Sequence, residues 1–212
     1  MSTASEKTIQ ALEQVVKGLP MGTNLALLHL IWSMITGSFL SSRGAIFGAL
    51  KQAGFSRQES QRSWQAMRSG SWSIGKLVEN WRKYVLAENE WRPNHYEGYR
   101  PLSVDTTTFW RPRLVNWIGQ YFHQLANRTQ KGVGFGLLVQ IGQIQGKRIP
   151  LLKAIIPAGV QTSSEKAFKE KILWHAAQNL ADDEVAVHDA GVSIANMQAA
   201  GMPRYVVRLA SN

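Results

Sequence analysis

The sequence contains no cysteine, which excludes disulfide scaffolds, thiolate zinc sites and cysteine nucleophiles. Long apolar runs are absent too. The longest, Leu25 to Ile35, spans about eleven residues and includes His29, whereas a membrane span needs about twenty. Met1 leads into a polar stretch rather than the basic and then apolar opening of a secretory signal. A soluble, cytoplasmic protein with no membrane partner is expected. Acidic residues are scarce, 14 against 24 Lys and Arg, for a net charge of +10 and a pI near 10.1. What is present suffices for folding. Hydrophobic residues make up 44% of 212, enough for one sizeable core or two small ones and too many for wholesale disorder.

The basic excess predicts a polyanionic partner, nucleic acid before membrane. Its distribution is uneven. Residues 1–104 carry 12 basic and 7 acidic side chains, and residues 165–212 carry 5 and 6. Between them, residues 105–164 carry 7 basic side chains and a single acid, Asp105. A lone carboxylate in so basic a stretch marks a candidate functional residue. The plainer alternative is an aspartate closing a strand into a turn.

The first hundred residues have a helical period. Ile9, Leu12, Val16 and Leu19 share one helix face, and Leu25 to Phe39 reads as a buried helix. Arg43 to Ala53 is a further helix, with Gly54 as its C-cap. Ser56 and Glu59 form a capping box at the start of the next, which carries Arg57, Arg62 and Arg68 beside Trp64 and Met67. Ile74 to Val85 follows after Ser73. Two helices about a glycine corner, the second rich in arginine, predict a helix-turn-helix-like DNA-binding region over residues 1–98. Trp64, Trp81 and Trp174 fall on apolar helix faces and are expected to pack in cores. The polar stretch Glu88 to Tyr99 places the domain boundary at 98/99.

Beyond it the period becomes that of strands. Leu102 to Thr108, the alternation of Val133, Phe135, Leu137, Val139 and Ile141, and Arg148 to Ile156 are three predicted strands, the last two joined by a Gln145-Gly146 turn. Helices over Ser164 to Leu180 and Ser193 to Ala200 then alternate with strands at Glu184 to His188 and Arg204 to Leu209. The fold class expected is α+β, a helical region followed by a mixed sheet with flanking helices. Gly132, Gly134 and Gly136 alternate along a strand without opening a helix, so a phosphate loop is not predicted. Asp182, Asp183 and Glu184 read as a solvated turn.

Asp105 and Asp189 each end or follow a short apolar strand, Leu-Ser-Val-Asp and Val-Ala-Val-His-Asp. Were the two strands neighbours, the carboxylates would meet at the sheet edge, where their repulsion favours a divalent cation between them. Hard oxygen donors suit Mg²⁺ or Mn²⁺ in a two-metal phosphoryl-transfer site. Arg111, Arg113, Lys147 and Arg148, with Arg57 and Arg62, are the candidate contacts to a DNA backbone. Trp110, flanked by Arg111 and near Asp105, is a candidate for a DNA-facing loop. His29, His95, His123 and His175 are too scattered for a catalytic set, and His188 is read as a structural strand-end residue.

These segments resemble a known family. Val104-Asp105-Thr106-Thr107 resembles the first catalytic aspartate motif of bacterial DDE-type insertion-sequence transposases. Gly146 to Leu151 is similar to the hairpin of their ribonuclease H-like core, His188-Asp189-Ala190-Gly191 to the second aspartate motif, and Tyr205 to Leu209 to the strand after it. The resemblance implies a ribonuclease H-like core over residues 99–212, with Asp105 and Asp189 as two of three metal-binding carboxylates. It also implies metal-dependent DNA cleavage and strand transfer at transposon ends. The family's third carboxylate, a glutamate on a downstream helix, is not found. Tyr205 and Arg208 imitate the opening of its signature, but Asn212 stands at the glutamate position. Glu165 and Glu170 fall on the helix before the second aspartate, away from the site. The expectation is therefore an N-terminal portion of a transposase, from a truncated or split reading frame, nucleoid-associated and with little or no activity alone. Its partners would be double-stranded DNA and a second copy or the full-length enzyme. The alternatives are a non-catalytic DNA-binding protein that inhibits transposition, and a small metal-dependent nuclease.

Overall fold

The computed structural model describes residues 3–20, 22, 25–42, 44–159, 164–189 and 191–208. The chain divides into two compact units, 1–88 and 89–212. The boundary expected at 98/99 thus moves to Glu88/Asn89. The polar composition of residues 88–99 concealed one anchor, Trp91, which is buried and donates from Nε1 to the Ile149 carbonyl at 2.9 Å.

The first unit is helical: α1 (Thr3–Lys17), α2 (Leu27–Ile35), α3 (Ser38–Ser41), α4 (Ile46–Gln52), α5 (Arg57–Ser69) and α6 (Ile74–Ala87). Its core gathers Val16 and Leu19 from the apolar face predicted for the first helix, Leu27 and Leu30 from the segment expected to be buried, and Ala66 of α5. The segment Leu25 to Phe39 is not one helix, because Gly37 takes a φ of +80° and separates α2 from α3. Gly54 closes α4 at a φ of +87°, a conformation that costs glycine little. The capping box of Ser56 and Glu59 forms on α5, and Ser73 caps α6 by accepting from Lys76. Arg43, the expected start of the fourth helix, lies outside the described residues. Trp81 is 39% exposed and stacks on Tyr84 rather than filling the core.

The second unit holds β1 (Arg92–Pro93), β2 (Arg100–Trp110), β3 (Gln120–His123), a 3₁₀ turn (Gln124–Ala126), β4 (Arg128–Ile144), β5 (Lys147–Pro157), α7 (Glu165–Asn179), β6 (Glu184–His188), α8 (Ile194–Ala199) and β7 (Tyr205–Val207). Overall the chain is α+β, helical first and then built on a mixed sheet. The long strands lie side by side as β5-β4-β2-β6-β7, and β4 alone runs antiparallel to the rest. Short β1 pairs with Gly142 and Gln143 of β4, and β3 with its first four residues. The end of the predicted last strand, Leu209, lies outside the described residues.

Glycine in β4 has a packing reason. Cβ atoms at Gly134 and Gly136 would strike Phe168 and Ile172, so α7 lies against backbone where larger residues would hold it off. Phe168, Ile172, Leu173 and Ala176 of α7 form the core with Leu102, Val104, Leu138 and Ala186. By pleat alternation, the apolar series Val133 to Ile141 faces the other side of the sheet, half-buried. Trp174 is 58% exposed. Two residues on from Ile172 in a helix of 3.6 residues per turn, it points away from the sheet.

Glu184 corrects a second expectation. Rather than a solvated turn residue, it is fully buried. It accepts hydrogen bonds from Gln140, Lys153 and the Ala181 N–H. Asp182 and Asp183 stay at the surface, the latter paired with Arg100 at 2.7 Å.

Candidate active site

Parallel pairing of β2 with β6 sets Arg100 opposite Glu184 and Ser103 opposite Val187. The same offset carried two residues further places Asp105 opposite Asp189. Both are exposed, and both line one cavity of about 220 Å³ with Val104, His188, Glu165 and Lys169. The pair stands where β6 ends and β2 continues without its parallel neighbour. Ligands of open α/β sheets gather at such carboxyl ends, because the loops that follow can diverge there.

Each aspartate is held by its own chain. Asp105 Oδ1 accepts from the Thr106 N–H at 2.7 Å, and Asp189 Oδ1 from the Gly191 N–H at 2.9 Å. Ala190 of the second motif lies outside the described residues. Among the described residues neither aspartate forms an ion pair, so Oδ2 of each is left to accept from a ligand. His188 lines the same cavity, is 5% exposed, and its Nε2 has no partner among the described residues. Burial pushes its imidazole down to about 4, against the opposing pull of the Asp189 and Asp105 charges. Sequence patterning marked His188 as structural; its place in the cavity of the two aspartates emerges only from the tertiary structure.

A pH prediction follows from that burial. An unfolded histidine binds its proton near pH 6.5, while folded His188 resists protonation until about pH 4. The folded form is therefore fully favoured above pH 6.5 and loses ground as pH falls towards 4, by on the order of 3 kcal/mol. Chemical denaturation of the wild type and His188→Leu at pH 7 and pH 4.5 checks it. The variant should lose less stability between the two.

Glu165 also corrects the sequence reading. It sits in the first turn of α7 and lines the cavity of the two aspartates, because α7 crosses directly over β2 and β4. Its carboxylate is engaged by Lys169 at 2.9 Å. Among the described residues no group of three His, Asp or Glu side chains is arranged to hold a metal ion. Two aspartates with free oxygens are nonetheless the donor type for Mg²⁺, which binds through one or two carboxylates and completes its shell with water and substrate phosphate. The residue at the expected glutamate position, Asn212, lies outside the described residues.

The basic candidates separate. Arg111 and Arg113 are exposed in the loop after β2, and Arg111 stands six residues, about 20 Å of strand, beyond Asp105. Lys147 and Arg148 flank the far hairpin turn. Arg148 pairs with Gln143 and Asp105 with Leu137, which puts them about 20 Å apart at roughly 3.3 Å per residue. Arg57 and Arg62 are exposed on α5 in the first unit. No helix among the described residues is long and apolar enough to cross a membrane. No protein-family model and no curated protein matches the chain.

Proposed function

We propose that the second unit is a ribonuclease H-like core of the DDE transposase type, and that the chain binds duplex DNA and holds it at Asp105 and Asp189. The observation that carries this reading is the strand register, which brings two carboxylates, one midway along β2 and one just past the end of β6, to neighbouring strands in one cavity. The strand order supports it as well. Numbered as the long strands occur in the chain, the sheet runs third, second, first, fourth, fifth, with the second reversed, a mixed sheet in which the two aspartate-bearing strands are neighbours.

Asp105 and Asp189 would hold the cation by their Oδ2 atoms, while the Thr106 and Gly191 N–H groups keep the carboxylates from turning away. A divalent cation bound there supplies Lewis-acid polarisation of a phosphoryl oxygen and a nucleophilic hydroxide at neutral pH. Arg111 and Arg113, exposed in the loop after β2, would offset backbone charge further along the bound DNA. With two donors and no third carboxylate in place among the described residues, cleavage by this chain alone is expected to be slow. That same incompleteness favours the second reading, a DNA-binding protein that does not cleave.

One experiment separates them. Duplex binding in EDTA should weaken steeply with salt, since several phosphates are neutralised. Slow nicking of supercoiled plasmid should appear only on adding Mg²⁺ or Mn²⁺. Binding without nicking in either metal would favour the second reading, and nicking that persists in EDTA would overturn the metal site.

A further inference from the structure

A second cavity of about 410 Å³ adjoins the first and shares Thr106, Gln124, Glu165 and Lys169 with it. Its volume is within the range of small-molecule sites. Its far wall is aromatic. The Trp110 and His123 rings lie 4.4 Å apart at 43°, and Phe122 is 51% exposed beside them. Three consecutive threonines of β2, Thr106 to Thr108, and the exposed Gln124 add polar groups to the lining. Trp110 ends β2 and His123 ends β3, so pairing of both strands with β4 fixes the two rings.

From this geometry we infer that the aromatic cavity takes one unpaired nucleobase of the DNA strand whose phosphodiester lies at Asp105 and Asp189. The inference rests on the DNA reading above. A base presents a flat π-face and a polar edge, and the cavity offers Trp110 and Phe122 to the one and hydroxyl and amide groups to the other. Continuity matters as much as composition. A nucleotide with its phosphate near the aspartates can reach the adjoining cavity only if its base has left the helical stack, since a paired base is shielded on both faces.

The test uses the full chain in EDTA and three DNA probes of arbitrary sequence in an anisotropy titration. They are a blunt duplex, the same duplex with a three-nucleotide single-stranded end, and that end made abasic. The duplex with the intact end should bind about tenfold tighter than the blunt one, and the abasic end should lose the gain. Trp110→Ala should remove the preference, and Trp110→Phe should retain most of it. Blunt-duplex binding without any preference, or a preference that survives Trp110→Ala, overturns the cavity assignment and leaves the DNA reading standing. Failure of all three probes to bind overturns the DNA reading itself. Should Trp110→Ala also weaken blunt-duplex binding, the exposed-site variant Phe122→Ala decides, and an undiminished preference there overturns the inference.

Discussion

Replacing Glu184 with methionine is expected to destabilise the second unit by about 3–5 kcal/mol. The carboxylate is fully buried at the start of β6 and satisfies three donors at once: the Gln140 amide, the Lys153 ammonium and the Ala181 N–H. Methionine fills much the same volume and accepts from none of them. The Lys153 ammonium, on a side chain only 20% exposed, would lose its counter-charge, and a buried amide and N–H would lose their acceptor. Adding Lys153→Met should recover much of the loss, because the buried charge then disappears together with its partner. Urea denaturation of the single and double variants measures both effects.

The same carboxylate carries a pH signature. Burial would raise the Glu184 pKa, but hydrogen bonds from Lys153, Ala181 and Gln140 and the Lys153 charge outweigh it and hold it below the ordinary value. A group held low in the folded state contributes stability above its unfolded pKa and loses it as pH falls through the folded one. Its loss therefore begins as pH falls through the ordinary glutamate range, at more acid pH than the onset of the His188 loss, and continues until the folded carboxylate is protonated. In Glu184→Met that most acid part of the profile should flatten.

Asp105→Asn and Asp189→Asn are each expected to reduce metal-dependent nicking to the level seen in EDTA. Each aspartate is half of the donor pair, and asparagine supplies a neutral oxygen in place of a charged one. Losing several kcal/mol of charge stabilisation corresponds to a thousandfold or so in rate. The fold should tolerate the exchange, since both side chains are exposed and amide oxygens still accept from the Thr106 and Gly191 N–H groups. Duplex affinity in EDTA should be unchanged or slightly tighter, because a negative charge would leave the surface proposed to hold DNA. Nicking that survives both substitutions would remove the aspartate pair from the mechanism. Equal loss of duplex binding would show instead that the fold had been damaged.

Much of this molecule is written in local pattern. The capping box of Ser56 and Glu59, the closure of α4 at Gly54, the hairpin at Gln145-Gly146 and the strand ending in His188 all rest on residues close in sequence. Their physics is local as well: a cap, a left-handed φ, a two-residue turn, a pleat. Even the aspartate pair was foreshadowed, as two short apolar strands each leading to a carboxylate.

Composition and alternation determined the helical and strand-built halves, the basic character, the two candidate carboxylates and the absence of thiol chemistry. Only the tertiary structure decided which strands are neighbours, and with that which side chains meet. It put Asp105 opposite Asp189, drew Glu165 and His188 to the same cavity, carried Lys147 and Arg148 to the far end of the sheet and buried Glu184. It also set Trp110 against His123 and returned residues 89–98 to the second unit through Trp91. The reason is physical. Strand pairing and helix crossing join residues tens of positions apart, and no propensity or period reaches across that separation.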